Sequence, residues 1–207
     1  ANEFSKAGCA PGAGKGTYFM PFSAMDINQR SVANNVMGIL TGKSKPGEFV
    51  IFSAHYDHVG TARTNPVNFL AEKGKPEKGD TVYNGANDNA SGISALILLA
   101  RYFGQLANND RTIVFIAFSG EELGLVGSKH AHRFMKHDSI IAMINMDMLG
   151  VPINKKNRNP IITGSSLSSL QAILNSTLYQ KAPDQFGKDY FRKDPFYSES
   201  LFSRSDN

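Results

Sequence analysis

The chain predicts an α/β fold, a mostly parallel twisted sheet with helices on both faces, and three features of its sequence carry that expectation. Thr112-Ile113-Val114-Phe115-Ile116-Ala117-Phe118 is almost continuously apolar, the pattern of a strand covered on both sides. Two further apolar runs, Phe49 to Phe52 and Ile140 to Met146, lie before and after it. Between the first run and the second, Ile93, Leu96, Ile97, Leu99, Ala100 and Phe103 recur at the spacing of a helix with a broad buried face. Strands alternating with helices build a parallel sheet between helical layers. A length of 207 residues suits one substantial core, nothing repeats internally and no linker divides the chain, so residues 1–207 read as one domain.

Residues 1–17, with Gly8, Pro11, Gly12, Gly14 and Gly16, read as loop. Gly12 to Thr17 resembles a phosphate loop, but Cys9 stands where its first glycine belongs, Gly16 stands where Ser or Thr belongs, and no strand precedes it. Tyr18 to Phe22 and Asn35 to Leu40 read as strands, and Gly42 to Gly47 as a charged turn before the strand at Phe49. Thr61 to Asp80 is polar and broken by prolines and glycines, a long loop suited to shaping a pocket. Leu125 to Met135 reads as a helix despite Gly127, Ile161 to Thr163 as a short strand, and Ser166 to Leu178 as a serine-capped helix.

Composition removes several classes of function. A hydrophobic content of 41% and a net charge of +4 describe an ordinary, mildly basic globular domain. The basic residues are scattered, with no arginine-rich helix or aromatic-and-basic stripe, so nucleic acid is not expected as a partner. The single cysteine, Cys9, has no internal partner for a disulfide and reads as a bystander. No apolar run reaches transmembrane length, and Ala1-Asn2-Glu3 does not begin a signal peptide.

The chemistry gathers at strand ends. His55 and Asp57 follow the run at Phe49, Asp88 opens the central helix, Glu121 and Glu122 follow Phe118, and Asp147 follows Met146. In a parallel sheet those ends share one edge, where ligands bind. Clustered carboxylates repel unless they are protonated or hold cations. A divalent metal site is one reading; a solvated acidic rim with His55 as an ordinary core histidine is the other. Mixed imidazole and carboxylate ligands suit Zn²⁺, with Mn²⁺ or Co²⁺ chemically admissible. Adjacent Glu121 and Glu122 point different ways, so one can hold metal while the other serves as a base. Asp88 lies in a Gly/Asn/Ser-rich turn, where small neighbours allow a carboxylate to bridge two ions.

Four segments resemble those of the M28 family of zinc metallopeptidases, its aminopeptidases in particular, and occur in the family's order. They are Ser53-Ala54-His55-Tyr56-Asp57-His58, Asn84-Gly85-Ala86-Asn87-Asp88-Asn89-Ala90-Ser91-Gly92, Phe118 to Ser128 with Gly120-Glu121-Glu122 inside it, and Asn145-Met146-Asp147-Met148-Leu149-Gly150. A weaker likeness runs back to Asn34-Asn35-Val36 and on to the chain end.

The resemblance implies a zinc-aminopeptidase-like sheet and two Zn²⁺ ions. His55 and Asp147 would hold one, Glu122 the second, and Asp88 both; Asp57 would orient His55 by a hydrogen bond, and Glu121 would be the general base. His58 would take neither part. The substrates implied are peptides, cut at the amino-terminal residue, and the location implied is secreted or periplasmic. The family's second zinc also takes a histidine from a later motif, and no segment here matches it. Ser205-Asp206-Asn207 resembles the family segment before that histidine, so the resemblance implies a domain lacking its C-terminal part, with one or no metal in the chain as it stands. His130, His132 and His137 read as surface residues. A carboxypeptidase, a glutaminyl cyclase and an inactive binding domain on the same scaffold are the alternatives. The loop at 61–80 and Phe196, Tyr197, Leu201 and Phe202 could wall the pocket or serve as core.

Overall fold

The structure is a computed structural model and describes residues 1–26, 29–63, 79–152, 158–196 and 200–206, without the side chains of 25, 26 and 29–31. Strands β1 (Ala10–Pro11), β2 (Phe19–Asp26), β3 (Gln29–Leu40), β4 (Lys45–His55), β5 (Arg111–Phe118) and β6 (Ile140–Asn145) form one sheet in the order β1-β3-β5-β4-β6, with β2 also on β3. Helices α1 (Asn2–Lys6), α2 (Ser91–Leu106), α3 (Val126–His132) and α4 (Leu170–Lys181) accompany it. A separate parallel pair joins β7 (Ile161–Ile162) to β8 (Arg192–Lys193).

The sheet is mixed, not mostly parallel. β3 runs antiparallel to β1, β2 and β5, and only β4 with β5 and β4 with β6 pair in parallel. The reason lies in connection length. Parallel neighbours need a crossover of about a dozen residues or more, and the turn at 41–44 between β3 and β4 is far shorter, so it reverses the chain. β5 then inserts between them, parallel to one and antiparallel to the other. The three strands that carry the site, β5-β4-β6, are nevertheless parallel, with His55 in register with Phe118 and Ser53 with Asn145.

β5 explains the two covered faces. Ile113, Phe115 and Ala117 point into a core with Leu96 and Ala100 of α2 and Phe4 of α1, while Val114, Ile116 and Phe118 point into another with Ala131 of α3. The crossover from β4 through α2 to β5 and the return through α3 to β6 travel in opposite directions along the sheet. Crossovers of this kind are right-handed, so opposite travel places the helices on opposite faces. Phe52 stacks on Phe115 and Phe103 with ring centroids 5.8 Å apart in each case, locking α2 to the strand that ends at His55.

The first 17 residues are not loop throughout. Phe4 is buried on β5, and Glu3 pairs with Lys6 and Arg101, which holds a helix too short to show periodicity. Cys9 is buried in the same core, and burial pushes its thiol up to about 11. Residues 64–78 of the 61–80 loop lie outside the described residues, as do Tyr197 and Asn207. No described helix is long and apolar enough to cross a membrane.

Candidate metal centre

The C-terminal ends of β4, β5 and β6 and the turn before α2 bring His55, Asp57, Asp88, Glu121, Glu122 and Asp147 together. His55, 1% exposed, closes β4. Its Nε2 lies 3.1 Å from Asp88 Oδ1 and 3.4 Å from Asp147 Oδ1. Its Nδ1 hydrogen-bonds the Asp57 main-chain carbonyl at 3.1 Å. With Nδ1 donating to that carbonyl, Nε2 is the nitrogen left for a metal.

The hydrogen bond between Asp57 and His55 that the resemblance implies is present, but it is made by the main-chain carbonyl and not by the carboxylate. Its Oδ1 stands 3.8 Å from Nδ1, beyond hydrogen-bond range. Instead Oδ1 accepts the Glu121 N–H and Oδ2 the Glu122 N–H, each at 3.2 Å. Asp57 thus orients His55 through its main chain and the paired glutamates through its side chain. The turn after β5 supplies two main-chain donors that a carboxylate satisfies better than one ring nitrogen does.

A second group forms beside the first. His58 Nδ1 lies 2.9 Å from Glu122 Oε1 and 3.9 Å from Asp88 Oδ2. The sequence reading leaves His58 out of the site; the structure brings it in. Asp88 therefore belongs to two groups of potential metal ligands, His55–Asp88–Asp147 and His58–Asp88–Glu122, with Oδ1 nearer one and Oδ2 nearer the other. Zinc bonds of about 2 Å in a tetrahedron separate ligand atoms by about 3.3 Å, and the four contacts bracket that value. Asp147 Oδ1 is buried and makes no hydrogen bond, an orphaned acceptor aimed at His55 that a cation would satisfy. The residues present fit a pair of divalent metals.

Supporting residues missed by the sequence reading fix these positions. Asn89, 2% exposed, donates to the Met146 carbonyl at 3.0 Å and accepts the N–H groups of Gly92 and Met148. That amide ties the Asp88 turn to the Asp147 strand end. A Cβ on Gly92 would lie 2.3 Å from the Met146 carbonyl oxygen, so only glycine permits this approach. Asn35, buried in β3, donates to the Gly127 carbonyl at 2.8 Å and accepts the Ser119 N–H, bracing the turn that carries Glu121. Ser53 donates to Asn145, Asn145 to Ser205, and Ser205 to Asp147 Oδ2 at 2.7 Å. Buried asparagines beside apolar strands were the available signal.

Charge is concentrated. Burial works against a charged His55, but the carboxylates of Asp147 and Asp88 overcome it and raise the ring to about 11. Burial would raise Asp147, yet His55 and Ser205 hold it below the usual range. Burial lifts Glu121 to about 7, against the pull of His55 and with help from Glu122, Asp206 and Asp147. Glu122 is raised by burial and by Asp88, with His58 opposing. Asp206, 1% exposed, is raised to about 6 by burial and makes no hydrogen bond; the nearby Ser128 hydroxyl donates to the Leu125 carbonyl at 3.2 Å. His132 and His137 are exposed, with ring centroids 4.2 Å apart, whereas His130 is half-buried and stacked on Phe22. None joins a metal-capable group among the described residues.

A sequence model described as peptidase family M28 matches residues 35–207. The chain belongs to peptidase family M28. Among M28-type relatives, a probable zinc metalloprotease of Pyrenophora tritici-repentis is 35% identical over 117 residues, 56% of this chain and 24% of that protein. The structure of a zinc aminopeptidase from Bacillus subtilis superposes with a TM-score of 0.56 at 28% identity, covering 75% of this chain and 34% of that one. A glutaminyl cyclase from Bacteroides thetaiotaomicron shares the fold, with a TM-score of 0.60 at 21% identity over 93% of this chain and 64% of its own. This M28 chain spans about a quarter of the length of the curated relatives it matches, 24% in the first case and 22% and 23% in the next two.

Proposed function

We propose that the protein hydrolyses peptide bonds with two zinc ions and removes amino-terminal residues from peptides. The observation that carries this reading is Asp88, whose two oxygens face two groups of potential ligands on the edge where Glu121 stands. His55, Asp88 and Asp147 would hold one ion, and Asp88 and Glu122 would contribute to holding the other. When bound, the zinc pair supplies Lewis acidity, polarising the scissile carbonyl and bringing the pKa of water to about 7.

The chain's own residues do the rest. Glu121 accepts the proton of the attacking water and returns it to the leaving amine, so one carboxylate serves as base and then acid. Its lifted pKa of about 7 suits a proton carrier near neutrality. Asp57 holds the main chain of both glutamates, so the base and its neighbour face the site in a fixed relation.

The test is hydrolysis of free-amine and amine-blocked peptides by the zinc-loaded protein. Release of the first residue from the free-amine series alone is expected; hydrolysis of neither, or preference for the blocked series, overturns the reading. The shared fold supports glutaminyl cyclisation as the second reading. Ammonia released from a peptide beginning with glutamine, with no shortening of the chain, would establish it instead.

A further inference from the structure

We infer that His132 and His137 form a separate two-imidazole site for a divalent transition metal, Zn²⁺, Ni²⁺ or Cu²⁺, at the opposite end of the sheet from the metal centre.

The two histidines stand five positions apart in sequence, whereas side chains align on a helix at spacings of three or four. The chain makes up the difference by ending α3 at His132 and opening a 3₁₀ turn, His137–Ser139, after a short reversal. In that reversal the N–H groups of Arg133, Phe134 and Met135 donate to the carbonyls of His130, Ala131 and His132. Ala131 is buried before it, and Met135 and Ile140 pack on the same core, so the backbone bearing both rings is pinned on either side. The rings, both exposed, come to lie with centroids 4.2 Å apart and planes at 40°.

That contact satisfies none of the ring nitrogens, and neither histidine makes a hydrogen bond to another described residue. His130 is the contrast, half-buried, stacked on Phe22 and packed against Phe134. Its ring serves as an apolar surface; those of His132 and His137 remain free to bind. Zn–N bonds of about 2.0–2.1 Å put the centroids of two rings sharing one ion about 4.5–5 Å apart, so the pair needs only to open slightly. Exposed side chains make such adjustments in nanoseconds or less. Imidazole suits Zn²⁺, Ni²⁺ and Cu²⁺, with Cu²⁺ held most tightly. No third protein donor joins them among the described residues, so water fills the other positions. Arg133 and Lys136, both exposed, work against a dication and Asp138 works for it, while Lys129 reaches back to the Gly124 carbonyl. Water and salt screen these charges, which leaves the imidazoles to set the affinity. His137 leads into β6, whose Ile140 pairs with Phe49, and β4 needs about 20 Å to run on from there to His55. An ion this exposed exchanges with solvent and leaves on gel filtration, unlike one held at the centre.

The experiment adds Zn²⁺ to the zinc-loaded, gel-filtered 207-residue chain and follows the imidazole signals of its five histidines by nuclear magnetic resonance. The buffer is mildly alkaline, since a histidine ligand must be neutral. His132→Ala and His137→Ala assign the two signals. In wild type both should shift together and saturate with one added equivalent, while His130 stays still. Two donors on one scaffold bind about 10²–10⁴-fold more tightly than one alone. In His132→Ala the His137 signal should therefore need about 10²-fold more zinc, and the reverse should hold in His137→Ala. Cu²⁺, read by line broadening, should act at lower concentration than Ni²⁺. Circular dichroism checks each fold, and His132→Gln and His137→Gln carry the test if an alanine variant fails. A remaining histidine that keeps its zinc affinity within about threefold, well short of the loss expected of a pair, overturns the inference. So does a wild type in which excess Zn²⁺ moves neither signal. Either result leaves the reading of the metal centre untouched, because the two sites share no residue.

Discussion

His55 and His58 lie three residues apart, yet the chain holds them by different means. His55 ends β4, with its position set by register to β5 and β6, its ring fully buried and its Nδ1 tied to a main-chain carbonyl. His58 lies past the strand in a turn, 19% exposed at the side chain and seated between Tyr83 and Gly85. The partners differ in the same way. Asp147 is fastened by Ser205 and the Asn145–Ser53 relay, whereas Glu122 is placed through its main chain by Asp57. A position set by sheet register has few ways to relax, and one set by turn packing has more. The His55 group should therefore hold its metal more tightly and release it more slowly.

The largest effect is expected from Asp88→Ala, which removes the carboxylate common to both groups. Metal content by elemental analysis should fall from two equivalents toward none; loss of only one would break the idea of a shared ligand. Glu121→Gln should keep both metals and lower turnover by about 10²–10⁴-fold, so a parallel drop in metal content would assign Glu121 to binding. Graded dialysis against a chelator should empty the second group before the first, and the reverse order would contradict the register argument. Uptake at the His55 group should release about one proton, because that ring, raised to about 11, is protonated at neutral pH before metal binds. Calorimetry in buffers of different ionisation enthalpy reads this directly. Asn89→Ala should cost about 1–3 kcal/mol of stability in denaturant titrations by leaving buried main-chain groups unpaired. Ser205→Ala, which removes one donor from Asp147, should weaken only the first metal and by the low end of about 10–100-fold.

Much of the site was legible because its residues close long apolar runs. The strand ending at His55, the buried run ending at Phe118 and the apolar strand before Asp147 each announce a rim position by pattern alone, and the α2 spacing announces where Asp88 must turn. Register among β5, β4 and β6 then has little freedom. The short α1 and β1 were not legible, since five residues of helix and two of strand show no period and exist through Phe4 burial and pairing to β3.

The sequence by itself determined the element types of the central strands and helix and the family the chain belongs to, and it named six residues that the fold gathers at one edge of the sheet. Tertiary structure decided the rest. It made the sheet mixed, because β5 pairs antiparallel with a strand some 70 residues away in sequence, through contacts that no local pattern encodes. It decided which part of Asp57 serves which partner, the main-chain carbonyl meeting the His55 ring and the carboxylate two main-chain N–H groups, because hydrogen bonds go to whichever donors the folded turns present. It drew His58 into the second group through a tyrosine and a glycine about 25 residues further on, whose packing orients the ring.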